Sequence, residues 1–414
     1  MCGMFVGYLF PPAILSISMM VFGVNALWGV HPKQWFRDKW WLMGVAWVAM
    51  FAMTWFWSEN KGDWETRFQL KLPILILPLA FTFLPRFSLK QLTWLILIIG
   101  LMLAGSAFYS ISFLVRDPVH YIREYKQSHI LPTLPKGDHI SASMGVAVFI
   151  ITGVYFWPML KETWVKWVVG ICLAILVIHL HILAVKCGLI SFYLFVIGWS
   201  IYAIATRKKM IGLVILLSLP VIFFLVGTFV PTLRERAAYT GFSYFMFKNG
   251  DHSGKYGDIS RLMSYKISVD LIKQYPWLGV GAGDIKDQMD KAYAIEYPEV
   301  QQVDRLYPHN QFLVNALGCG IPAMLIFVCW YFMPLLTLKR NRQSFFFFMV
   351  WMMGLFELMI EPHLEGQLGV FVFLIYLLLQ KHELGAPGGE GEQSRVTGGT
   401  AFPANGSAAL SPGG

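Results

Sequence analysis

The sequence predicts an all-α integral membrane protein of about twelve transmembrane helices, eleven of them clear, with a large loop that itself contains helices. Two observations carry this. Only 14% of the residues are charged and 56% are hydrophobic, with a mean hydropathy of +0.56, whereas a soluble domain carries roughly a quarter charged residues. The apolar residues also arrive in unbroken blocks, such as 167–185 and 211–230. Blocks of about 18 apolar residues match a hydrocarbon core roughly 30 Å thick. Such a core admits helices, because each segment must satisfy its own backbone hydrogen bonds.

Taken in order, the spans read as 12–30, 41–57, 70–85, 92–115, 140–159, 164–184, 187–205, 210–230, 310–336, 344–360 and 364–380. Residues 1–10 are apolar too and run into Pro11-Pro12. They form either a short twelfth helix or part of one bent helix, since proline breaks a helix interior. Basic residues fall in alternating short loops: Lys33, Arg37 and Lys39; Arg86 and Lys90; Lys161 and Lys166; Arg207, Lys208 and Lys209; Lys339, Arg340 and Arg342. The positive-inside rule assigns those loops to the cytoplasm and puts two long loops, about 116–139 and 231–309, on the outer face. An even span count places both termini inside, which favours twelve.

This divides the chain into N-terminal transmembrane helices over 1–230, an outer loop with amphipathic helices over 231–309, and C-terminal transmembrane helices over 310–383. From 384 to 414 the sequence turns to Gly, Pro, Ser and Ala, a composition expected to be disordered and a candidate expression scar. No cleavable signal peptide is expected at the start. The five cysteines form no C-x-x-C pair, against a disulfide framework or zinc site.

Polar residues at the outer boundary are the candidates for chemistry. Lys186 sits in a tight turn between two apolar helices, either as a snorkelling lysine or as a working cation. Arg261 lies on an expected helix running to Pro276, capped by Asp258 or Ser260, with Leu262, Ile267, Leu271 and Ile272 as its apolar stripe. Its alternatives are a solvated or lipid-phosphate-facing charge. Gly279 and Gly281 follow, in a run able to form an anion-binding nest or a plain tight turn. His309 follows Pro308, which suits a first helical turn. The imidazole then stands at a helix N-terminus, where the dipole favours the neutral ring; a capping role is the alternative. Gly318 and Gly320 read as close-packing positions.

Other chemistries find no support. His179 and His181 are two residues apart on a helix and face apart. The outer loops hold no Asp-x-Asp or paired-carboxylate cluster, so no metal site and no cofactor is expected. The basic residues form no nucleic-acid patch. A secondary transporter is the main rival, but the spans carry little charge and no internal repeat is visible. A non-catalytic lipid-phosphate binder is another.

At Pro308-His309-Asn310, with Gly320 ten residues after the asparagine, the chain resembles the bacterial O-antigen ligase and polymerase superfamily, closest to the ligases. Ala323 stands where the signature usually has a further small or aromatic residue. The run from Ser260-Arg261 through Pro276-Trp277-Leu278-Gly279-Val280-Gly281 resembles that family's large periplasmic-loop segment. Lys186 stands where the family more often has arginine, keeping a cation but losing the bidentate fork. Glu361 lies where relatives tend to place a glutamate. The resemblance covers roughly residues 170–380.

The resemblance implies a GT-C-like glycosyltransferase in the bacterial inner membrane, with its site facing the periplasm. It also implies a donor glycan on undecaprenyl pyrophosphate, a lipid A–core acceptor for a ligase or a growing chain for a polymerase, and a conical cavity open to membrane lipids. On that reading Lys186 and Arg261 hold the departing diphosphate without a metal. His309 is the general base or orients the acceptor, and Asn310, Gly279, Gly281, Glu361 and Glu365 contact substrate. The two glutamates orient His309 or a cation, or else simply cap a short loop.

Overall fold

The computed structural model describes residues 1–26, 38–127, 129–206, 208–251, 253, 257–338 and 341–384. The tail beyond 384 and the loop cations Lys33, Arg37, Arg207, Lys339 and Arg340 lie outside the described residues. Among the described residues the chain is helical, without a strand. Its helices are α1 (Cys2–Leu9), α2 (Pro12–Ala26), α3 (Lys39–Met53), α4 (Lys61–Phe83), α5 (Leu89–Arg116), α6 (Pro118–Tyr125), α7 (His139–Phe156) and α8 (Thr163–Leu183). They continue with α9 (Lys186–Ala205), α10 (Lys209–Phe229), α11 (Pro231–Lys248), α12 (Gly257–Gln274), α13 (Ile285–Glu296), α14 (Gln311–Phe332), α15 (Arg342–Ile360) and α16 (Gln367–Leu384).

Eight of them, α4, α5, α7, α8, α9, α10, α14 and α15, are long and apolar enough to cross a membrane, and α2 and α16 are shorter apolar helices. The chain is a multi-pass membrane protein. The apolar opening forms a helix of its own, doubled back on α2: Gly3 faces Ser18, and a Cβ on Gly7 would lie 2.2 Å from the Leu15 nitrogen. Eight residues rise only about 12 Å, so α1 is the short arm of a hairpin.

Inside lipid, helices associate through packing rather than hydrophobic transfer, and aromatic side chains dominate that packing here. Trp47 meets Phe327 at 4.7 Å and Trp330 at 5.4 Å between ring centroids. Trp40 Nε1 donates to the Trp330 carbonyl at 2.9 Å, which fastens α3 to α14.

The helices alternate in direction, so their ends form two sets. At one end, α16 meets α3 through Lys381 and Asp38 at 3.5 Å, and Arg342 donates to the Tyr155 carbonyl at 2.8 Å. The short loops holding Arg86, Lys161, Lys166 and Lys208 belong to this basic end. The opposite end gathers residues 54–60, α12, α13, 307–311 and 361–367, and holds the candidate site.

The third span differs from its expected bounds. It starts at Lys61 rather than 70, capped by Asn60 Oδ1 accepting from Asp63 N at 3.1 Å. Its first turns therefore carry Arg67 and Lys71 into the site end. Polar partners from distant segments stabilise those charges there, which a hydropathy reading could not register.

Candidate active site

The glycine run is a docking loop and not an anion nest. Gly279 N donates to Tyr275 O at 3.1 Å, Val280 N to Leu317 O at 2.8 Å and Gly281 N to Gly318 O at 3.1 Å. An anion would have to compete with these carbonyls, so Gly279 and Gly281 serve the fold. Their φ angles are +69° and +101°, in the region where glycine avoids the Cβ penalty.

Helix α14 is shaped to receive the loop. Gly320 leaves helical geometry at φ 85° and ψ 165°, and a Cβ there would lie 2.1 Å from the Trp277 carbonyl oxygen. The freed backbone is satisfied across the junction, with Ile321 N donating to Pro276 O at 2.8 Å. Asp284, just beyond the loop, accepts from Glu59 N at 2.8 Å and Asn60 N at 2.7 Å, which ties the loop to the start of α4.

Helix α12 begins at Gly257, so Ser260 lies inside it instead of capping it. Its buried stripe is Met263, Ile267 and Leu271, flanked by buried Ser260, Ser264 and Ser268, while Leu262 is exposed. This register leaves Arg261 and Tyr265, one turn apart, free to face the centre of the site. Tyr265 donates to the His309 carbonyl at 2.7 Å, and Arg261 Nη2 forms an ion pair with Glu361 Oε1.

Glu361 is the hub. Its second oxygen, Oε2, lies 2.9 Å from His309 Nδ1. Its side chain is 8% exposed, against 24% for Arg261 and 21% for His309, so the carboxylate is buried while both partners keep an open side. Burial opposes its charge, but the His309 hydrogen bond and the Arg261 charge prevail and hold its carboxyl below the ordinary glutamate value. In the neutral ring, an Nδ1–H donated to the carboxylate leaves His309 Nε2 as the acceptor.

His309 lies just before α14 rather than in its first turn. Asn310 is the N-cap: its Oδ1 accepts from Phe312 N and Leu313 N at 2.8 and 3.1 Å, while its Nδ2 donates to Met359 O at 2.9 Å. The Asn310 amide is thus engaged in holding α14 to the end of α15.

Glu361 is the middle of three glutamates spaced by four residues, Glu357, Glu361 and Glu365. Glu357 accepts from Ser191 Oγ at 3.1 Å and meets His363 Nε2 at 3.2 Å. Burial disfavours the His363 charge, yet Glu357 outweighs it and raises the imidazole pKa. Glu365 meets Lys71 at 2.5 Å and Arg67 at 3.2 Å. Burial again opposes ionisation, and the two cations hold the Glu365 carboxyl below its ordinary value. A cavity of about 230 Å³ opens beside these groups, lined in part by Asp138, Ser141, Glu361, His363 and Glu365.

Lys186 begins α9 at this same end, after Ala184 in left-handed conformation at φ 52° and the N-cap Val185. Its neighbour Cys187 lies within electrostatic reach of Arg261, Glu357 and Glu361. Sequence reasoning missed Arg67, Lys71, Gln311, Glu357 and His363. The signal for two of them was Arg67 and Lys71, one turn apart beside an apolar run. Among the described residues, no group of three or more His, Cys, Asp or Glu side chains is placed to hold a metal ion.

Residues 140–328 match the model of a protein family described as O-Antigen ligase. That stretch contains Lys186, Arg261 and His309 and ends before the three glutamates. No curated protein matches the chain.

Proposed function

We infer that this chain, a member over residues 140–328 of the O-antigen ligase and polymerase superfamily, transfers a glycan from undecaprenyl pyrophosphate to a sugar hydroxyl of lipid A–core. The observation that carries the reading is Glu361 holding His309 and Arg261 together. This sets a proton acceptor and a phosphate-binding cation on one buried carboxylate.

In the reaction, the acceptor hydroxyl attacks the anomeric carbon as the bond to the pyrophosphate oxygen breaks. His309 Nε2 takes the hydroxyl proton, and Glu361 stabilises the imidazolium that forms. The electron pair leaves with the pyrophosphate. Arg261 has five N–H donors, and those turned away from Glu361 bind the diphosphate, with Lys186 adding a second charge. A single displacement of this kind inverts the anomeric centre, and these side chains meet the leaving-group charge without a metal.

The basic loops at the opposite end support placing the site on the periplasmic face of the bacterial inner membrane. A groove of about 300 Å³ beside α4 has Met19, Met20, Ile76 and Leu77 along it and Thr66 and Gln69 among its polar lining. That combination suits the isoprenoid chain of the donor.

The test is to supply purified protein with the lipid-linked glycan and rough lipopolysaccharide. Glycan on the lipopolysaccharide supports a ligase. Lengthening of the lipid-linked glycan alone moves the assignment to a polymerase, and neither product contradicts both.

A further inference from the structure

Helix α4 carries Arg67 and Lys71, and neither contacts the candidate base or its carboxylate. Between them they reach the two limbs of chain that present those groups, Arg67 touching both and Lys71 the second. The first limb is 307–311, where the Arg67 guanidinium lies 4.4 Å over the Tyr307 ring. Gln311 Nε2 donates to Glu365 Oε1 at 2.9 Å. The second limb is 361–365, where Lys71 Nζ donates to the Leu364 carbonyl at 2.6 Å and to Glu365 Oε1 at 2.5 Å. Gln311 Oε1 closes the circuit by accepting from Leu364 N at 2.9 Å.

We propose that Lys71 and Gln311, seated by Arg67, are positioning residues that set the His309–Glu361 contact by locking the two limbs in register. The proposal rests on the glycosyl-transfer reading above. His309 is two residues from Gln311, and Glu361 is three and four residues from Leu364 and Glu365. A shift of one limb against the other is therefore passed directly to the His309–Glu361 hydrogen bond of 2.9 Å.

The cost of the arrangement argues for this role. Lys71 is fully buried at 0% exposure, and a buried ion pair is often matched or bettered in stability by apolar residues of similar volume. What an apolar pair cannot do is specify the position of one backbone carbonyl and one carboxylate at the same time. Reacting groups need that definition, since a displacement of about 1 Å can cost a factor of about 100 in rate.

The experiment measures transfer kinetics with the full chain in lipid nanodiscs for Lys71→Met, Gln311→Leu, Glu361→Gln and the two double variants that include Glu361→Gln. Each single variant is expected to lower kcat by up to about 100-fold, the cost of displacing a reacting group by about 1 Å, with the donor KM within about twofold. Each double variant is expected to be no slower than Glu361→Gln alone, because the positioning residues act through Glu361. Additive losses, or a loss confined to KM, would overturn the proposal. Thermal melting reports whether the variants fold; if neither Lys71→Met nor Gln311→Leu yields folded protein, the two residues are assigned to folding and the proposal also fails. Absence of transfer by the wild type is a different result, which counts against the transfer reading itself.

Discussion

Glu361 and His309 are 52 residues apart in sequence and 2.9 Å apart in space, carboxylate oxygen to Nδ1. The same carboxylate receives Arg261 on its other oxygen. One buried acid therefore sets the tautomer of the proposed base and fixes the place of the proposed leaving-group cation.

Glu361→Gln preserves the shape of this hub but removes its charge. Transfer should fall by up to about 100-fold in kcat, as for a reacting group left misplaced by about 1 Å, and the donor KM should rise little. An assay at saturating donor separates this from a binding defect, which would appear in KM alone.

Arg261→Lys keeps the charge and loses the planar fork, so it should cost at least about tenfold in kcat/KM. Lys186→Arg should retain activity, because the proposed role at that position asks only for a cation. Comparing the two conservative exchanges under identical donor concentration tests whether the cations have distinct tasks.

Gly320→Ala should destabilise the protein by about 2–4 kcal/mol, combining overpacking with positive-φ strain. The added Cβ would stand 2.1 Å from the Trp277 carbonyl oxygen, and no flexible side chain there can yield. A lowered melting temperature in detergent checks this, and an unchanged one contradicts the docking of the 276–281 loop on α14.

Glu361 and Glu365 both have carboxyl pKa values depressed in the folded state. Their stabilisation is thus fully present above the unfolded glutamate pKa of about 4.3 and is lost as pH falls through the folded values. Melting temperature followed from pH 7 down to pH 3 should drop more steeply for the wild type than for Glu361→Gln or Glu365→Gln. Parallel curves would mean the two carboxylates are not coupled to folding.

The membrane class was legible because apolar runs report burial in lipid directly. Lys186, Arg261 and His309 were also singled out, by rare polar character at span boundaries and by the family resemblance. What stayed hidden depends on long-range contact. Arg67 fell just before the third span as the sequence bounded it and Lys71 at its very start, and neither stood out, because their partner Glu365 is some 300 residues away. Gly279 and Gly281 suggested an anion nest, since their sequence does not reveal that Gly279 N is taken by the Tyr275 carbonyl and that Val280 N and Gly281 N face the carbonyls of a kinked α14. Asn310 read as a substrate contact, while capping engages its amide.

The most direct test of the account is glycan transfer to rough lipopolysaccharide by purified wild type and His309→Ala, each with undecaprenyl-pyrophosphate-linked glycan and excess EDTA. The account predicts transfer by the wild type in the presence of the chelator, and a loss of at least about 100-fold in the variant while donor binding is retained. Equal transfer by both proteins, or transfer abolished by EDTA, would contradict it.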